Sequence, residues 1–402
     1  MILDDAPDDL GLLLWQAFRN VLLWAGTPVG GRGALFDETA KARRHEQIAA
    51  VVDEDADERA ALLTLAEVLD PTSGIDSHAV ADACAKLQEV AAQRGQRNVR
   101  LAFAVATAAA APADAARAYH VAGLLRNQCD DSWADAWYRH SAELALASRD
   151  WKHHGLAFIG IGHIAVQQGD WDSAERYFKR ALYSARRHGT WQVKGMALHN
   201  LFTVAVTQDD YRKATRLARE TFNAYGSSHP RLPALAHDIA FFWMMRGQFS
   251  QALGVFEALV NQFANPDERL LALSNVVRAA GGEGDLRGFE NAWNRALPLA
   301  IELTNSVRET STVTEAWVNL AYGAASIGDV QKGMLCATHA STIAARRGQE
   351  PERARAEAIL GSLRSLRGVR RVVGAPDEGR DRESDAAASA LARELRTALA
   401  HS

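Results

Sequence analysis

Residues 158–182 read FIGIGHIAVQQGDWDSAERYFKRAL. Two apolar patterns at helical spacing meet here at one punctuated point, Gly169-Asp170. Before it, Phe158, Ile161, Gly162 and Ala165 recur at intervals of three and four; after it, Trp171, Ala174, Phe178 and Ala181 do the same. Small residues at Gly162 and Ala174 let two helices approach closely, and the larger residues fill the space around that contact. The stretch therefore predicts two helices folded back on each other across a tight turn.

The arrangement recurs along the chain. LFTVAVTQDDYRKATRLARET (201–221) puts Tyr211 and Ala214 where Trp171 and Ala174 stand. IAFFWMMRGQFSQALGVFEAL (239–259) supplies Gly247, Phe249, Ala252 and Phe256, and VVRAAGGEGDLRGFENAWNRAL (276–297) supplies Gly284, Leu286, Trp293 and Ala296. Gly328, Val330 and Ala337 follow downstream, and Trp133 with Ala136 lies upstream. The hydrophobic residue after each turn falls at 133, 171, 211, 249, 286 and 330, with spacings of 38, 40, 38, 37 and 44. This pattern resembles the tetratricopeptide repeat, whose period is about 34 residues. The added residues lengthen helices or inter-repeat turns. The resemblance covers roughly residues 113–348 and implies an all-α fold: a right-handed superhelical solenoid of antiparallel helix pairs.

Length alone, 402 residues, suggests two or three domains unless the architecture is a repeat. The organisation expected is an N-terminal helical cap over residues 1–112, a solenoid over 113–373, a flexible linker over 374–385 and an amphipathic helix over 386–402. LFDETAKARRHEQIAAVV and DEDADERAALLTLAEVLD in the cap have helical periodicity. GAPDEGRDRESD (374–385) is charged and nearly devoid of apolar residues. Leu391, Leu395 and Leu399 then line one stripe, able to dock on the solenoid or on a partner.

Composition is that of an ordinary soluble protein: 48% hydrophobic, 23% charged, net charge −4. Nothing in that balance draws the chain to nucleic acid or to an acidic membrane. Cys84, Cys129 and Cys336 are widely spaced and odd in number, which fits a reducing cytoplasm. Asp4, Asp5, Asp8 and Asp9 are unlike a secretory leader, and LGLLLWQAFRNVLLWAG (10–26), interrupted by Arg19 and Asn20, reads as a buried helix.

No HExxH, CxxC, GxSxG or phosphate-binding loop is present. Gly160 and Gly162 lie within a helix, where close packing explains them better than a nucleotide fingerprint. Polar residues nevertheless recur in register on the first helix of each pair. Eleven residues before the post-turn position stand Asn200, Asp238, Asn275 and Asn319; twelve before stand His199 and His237; eight before stand His163, Thr203, Phe241, Arg278 and Tyr322. In tetratricopeptide-repeat proteins these places line the inner surface and hold bound peptide. The resemblance thus implies that all of them are peptide-binding candidates, with Met244 and Met245 adding to an apolar floor beside Phe241. An asparagine can bond a peptide backbone in either direction. The function expected is a non-catalytic scaffold or sensor with a protein or peptide partner, without metal or other cofactor and without nucleic acid or membrane. Oligomeric state is left open. Two alternatives remain: a transcription-associated regulator acting through the N-terminal helices, and a metalloprotein or hydrolase using His163, His199, His237 and Asp238.

Overall fold

The computed structural model describes residues 2–54, 56–70, 72, 74–111, 114–128, 130–305, 311–365 and 382–400, with only the backbone for residues 311 and 382–385. Among them are twenty α-helices, two short 3-10 turns and no strand. The fold is an all-α helical repeat. It divides into two compact units, Met1–Ala197 and Leu198–Ser402.

In the first unit, α1 (Ile2–Asp5), α2 (Asp9–Gly26), α3 (Ala40–Val51), α4 (Asp57–Ala66), α5 (Ser77–Gln93) and α6 (Arg97–Ala110) surround one core. Val21, Ile48, Leu62, Cys84 and Phe103 lie at its centre with 0–1% exposure. The acidic residues here serve the fold. The Asp5 carboxylate accepts from the backbone N–H groups of Asn98 and Val99 and so caps α6. Glu58, buried in α4, takes a two-pronged bond from Arg94, 2.9 Å on each oxygen. Two helix pairs follow: α7 (Ala115–Asn127) with α8 (Asp131–Ser148), and α9 (Trp151–Gln167) with α10 (Trp171–His188). A Cβ on Gly160 would come within 2.5 Å of Tyr138, and one on Gly162 would enter the ring of Phe178. Close packing is the role of both glycines.

Helix α11 (Trp191–Thr207) crosses the boundary between the units. The second unit continues with α12 (Tyr211–Tyr225), α13 (Leu232–Met245), α14 (Phe249–Val260), α15 (Pro266–Glu283), α16 (Leu286–Thr304), α17 (Ser311–Ser326), α18 (Val330–Arg347), α19 (Glu350–Arg364) and α20 (Arg382–Ala400). Five of the six register positions coincide with helix starts: α10, α12, α14, α16 and α18 begin on Trp171, Tyr211, Phe249, Leu286 and Val330, whereas α8 begins at Asp131, ahead of Trp133. The turn chemistry explains why. Asp170, Asp210, Asp285 and Asp329 each accept the backbone N–H three residues on, at 3.0–3.1 Å. Each such cap is worth about 1 kcal/mol. Before the cap the chain must pass through the left-handed region, which glycine enters freely, as at Gly169 (φ 74°) and Gly284 (φ 82°).

Helices α15 and α17 touch backbone to backbone. A Cβ on Gly323 would lie 2.6 Å from the Val277 carbonyl oxygen, and one on Gly281 would collide with Gly323. The last helix, α20, starts at Arg382, four residues ahead of the expected start. It docks on α14 through Leu391, Leu395 and Leu399, all at most 3% exposed. Gln251 Nε2 donates to Ser389 Oγ (3.1 Å), Gln262 Nε2 donates to the Leu399 carbonyl (2.7 Å), and Arg219 pairs with Glu394 (2.6 Å). Residues 374–381 of the expected linker lie outside the described residues.

Candidate functional site

The recurring polar positions on α11, α13, α15 and α17 are joined within the second unit by one run of hydrogen bonds. Arg278 can only donate, and its Nη1 donates to Asn319 Oδ1 at 3.0 Å. That turns the Asn319 amide nitrogen toward Asn275 Oδ1, 2.9 Å away. Asn275 Nδ2 therefore faces His237 Nε2 (3.1 Å), which accepts. The His237 proton then sits on Nδ1 and is donated to Asp238 Oδ1 at 3.3 Å. From the other side, Tyr225 Oη lies 3.3 Å from His199 Nδ1, and His199 Nε2 donates to Asp238 Oδ2 at 2.9 Å. Arg278, which cannot accept, fixes both amide orientations and the His237 tautomer; the Asp238 carboxylate, which can only accept, fixes that of His199, and both arms converge on it.

The electrostatics follow from this convergence. The protein crowded around Asp238 would raise its carboxyl, but bonds from His199 and His237 outweigh that and hold it at about 2. Its side chain keeps 46% of its surface open. Burial pushes the Tyr225 hydroxyl up to about 12 and the Arg278 guanidinium down to about 10, so both stay protonated at neutral pH. Arg278 has no carboxylate of the described residues within ion-pairing distance. It lies over the Tyr322 ring, 4.3 Å from the centroid, and 5.9 Å from that of Phe241, and its Nη2 reaches Met245 Sδ at 3.4 Å.

The structure sorts the expected residues. Asn275 and Asn319 have 0% exposure, so the expectation that they hold a ligand directly is corrected: their amides are consumed by each other, by His237 and by Arg278. The cause is the close approach of α15 and α17 at Gly281 and Gly323, which brings two short side chains into contact. Met244, at 2% exposure, packs in the core and forms no floor, whereas Met245 is 56% exposed. Thr203 is exposed, with its hydroxyl bonded back to the His199 carbonyl. Asn200, Phe241, Arg278 and Tyr322 are half-buried. His163 belongs to the first unit, where its Nδ1 accepts from Arg126 Nη1 at 2.8 Å. His199 and His237 come together on one acceptor, Asp238. Sequence reasoning missed Tyr225, whose position at the end of α12 carries no repeat signal. No three His, Cys, Asp or Glu side chains of the described residues are grouped so as to hold a metal. No described helix is long and apolar enough to cross a membrane.

The paired helices, their register and the small-residue contacts are those of a helical repeat. The chain resembles the tetratricopeptide-repeat proteins. No family model matches it, and no curated protein matches it in sequence. Similar solved structures include the Rap protein complexed with competence and sporulation factor, at 13% identity and TM-score 0.49, covering 96% of this chain and 99% of that one. BtubC (BKLC) from P. vanneervenii is similar at 14% identity and TM-score 0.44, over 58% of this chain and 94% of that one. PilF of Pseudomonas aeruginosa is similar at 16% and 0.42, over 60% and 97%. At these values the likeness carries nothing about ligand or activity.

Proposed function

We propose that the chain is a non-catalytic interaction protein whose first-helix face in the second unit takes a peptide or protein segment. The observation that carries this reading is Arg278: a half-buried guanidinium with no carboxylate of the described residues in ion-pairing distance, held between Phe241, Tyr322 and Met245. An acidic group of a bound segment would complete it with charge-assisted bonds. Thr203, Asp238 and Asn200 extend the same row of first helices. The buried asparagines act one layer below, fixing the geometry that the surface presents. Burial pushes Cys84 and Cys336 up to about 12, so neither is a thiolate nucleophile, and two buried free thiols fit a cytoplasmic setting.

The test is selection of peptides on the immobilised full chain, followed by fluorescence anisotropy on the enriched sequences. Enriched peptides should carry an acidic residue, and Phe241→Ala and Arg278→Lys should each weaken binding about tenfold, within the range of a lost contact of about 1–2 kcal/mol. Arg216→Ala, on α12, should leave it unchanged. Peptides that bind the Phe241 and Arg278 variants as well as they bind the parent protein would refute the assignment.

A further inference from the structure

The apolar helix α2 carries three polar residues, Gln16, Arg19 and Asn20, at spacings that place them on one face with Leu23. That face and the turn into α3 enclose a cleft of about 450 Å³ in the first unit. Arg44 of α3 is half-buried in its wall, with only the neutral Gln16 Oε1 as acceptor, 2.6 Å away. Arg43 in the same wall is neutralised by Asp37. Arg19 and Arg44 thus bring two positive charges to the cleft with no carboxylate of the described residues in ion-pairing distance. Asn20 is 7% exposed and lines the cleft, where its amide can bond to an occupant. Leu23 and Phe36 supply an apolar wall.

We propose that this cleft is a small-molecule site for an organic phosphate with a flat apolar body. Arg19 and Arg44 neutralise the two charges of the phosphate, the Asn20 amide bonds its oxygens or a polar ring edge, and Leu23 and Phe36 cover the ring. The volume is that of a metabolite-sized site. This site is separate from the peptide face proposed above and does not depend on it.

Isothermal titration of the full chain at low salt with phenyl phosphate, inorganic phosphate, phenol and benzoate tests the assignment. Phenyl phosphate should bind one per chain and at least tenfold tighter than each of the other three. Arg19→Gln and Arg44→Gln should each weaken it at least tenfold while leaving the helical circular dichroism unchanged, and Asn20→Leu should weaken it as well. Arg19 is exposed, so its variant reports on binding even if the Asn20 variant folds poorly. Equal binding of phenyl phosphate and inorganic phosphate, tighter binding of benzoate, or undiminished affinity in both arginine variants would overturn the proposal.

Discussion

Asn319 Nδ2 donates to Asn275 Oδ1 across 2.9 Å, with both side chains wholly enclosed between α15 and α17. The bond turns a close helix contact into a specific one. Asn319→Leu would leave Asn275 Oδ1 and one arm of Arg278 unpaired, a loss of about 2–3 kcal/mol. The Asn275→Leu, Asn319→Leu double variant should lose less than the sum of the singles, by about 1 kcal/mol or more. Urea denaturation of all four proteins measures the difference, and strict additivity would show that the two amides do not interact.

Asp238 imposes a pH dependence. Its folded value, about 2, lies below the ordinary 3.8, so the ionised form stabilises the fold. That contribution is complete above about pH 4 and disappears as the pH falls through about 2. Because the side chain is 46% exposed, solvent screening limits the effect to about 1 kcal/mol. Asp238→Asn should therefore remove part of the acid slope between pH 4 and pH 2, read from urea midpoints across that range. A variant with the parent's acid slope would contradict the double bond to His199 and His237.

Arg149 ends α8 in the left-handed conformation, φ 57°, where Gly189 ends α10 at φ 71°. A side chain in that region costs about 1 kcal/mol. Arg149→Gly should accordingly raise stability by about 0.5 kcal/mol, after allowing for the freer unfolded chain, and Gly189→Ala should lower it by about 1 kcal/mol. Thermal unfolding of the two variants should show shifts of opposite sign.

Gly162 sits against the Phe178 ring, where no Cβ fits. Gly162→Ala should destabilise by about 1–3 kcal/mol through overpacking. Adding Phe178→Leu should recover part of that loss by clearing the space. Absence of any recovery would mean that the clash is relieved elsewhere.

The turns were legible in the sequence because they are local. A left-handed residue, an aspartate cap and a large apolar residue in succession set the start of α10, α16 and α18 to the residue. The leucine stripe of α20 was legible for the same reason, but its seat on α14 was not, since that helix lies more than 120 residues upstream. The recurrence of Asn, Asp and His on the first helices was visible as a register. Whether such a residue points outward or into the seam depends on how far each helix rolls against its neighbour. At α15 and α17 that roll is set by Gly281 and Gly323, which meet only after folding. Asn275 and Asn319 were therefore placed on the right helices and assigned to the wrong layer.

Solenoids commonly gain and lose modules by duplication and excision, because each module contacts only its neighbours in equivalent ways. The relay removes that equivalence. Its donors run toward Asp238 from both sides, so the modules are ordered about one centre. Excising α13 would leave two converging series of donors with no acceptor between them, and duplicating it would insert a second carboxylate that one arm cannot satisfy. In descendants of this chain the stretch from α11 to α17 should be inherited as a block of fixed length, while insertions and losses accumulate on either side of it.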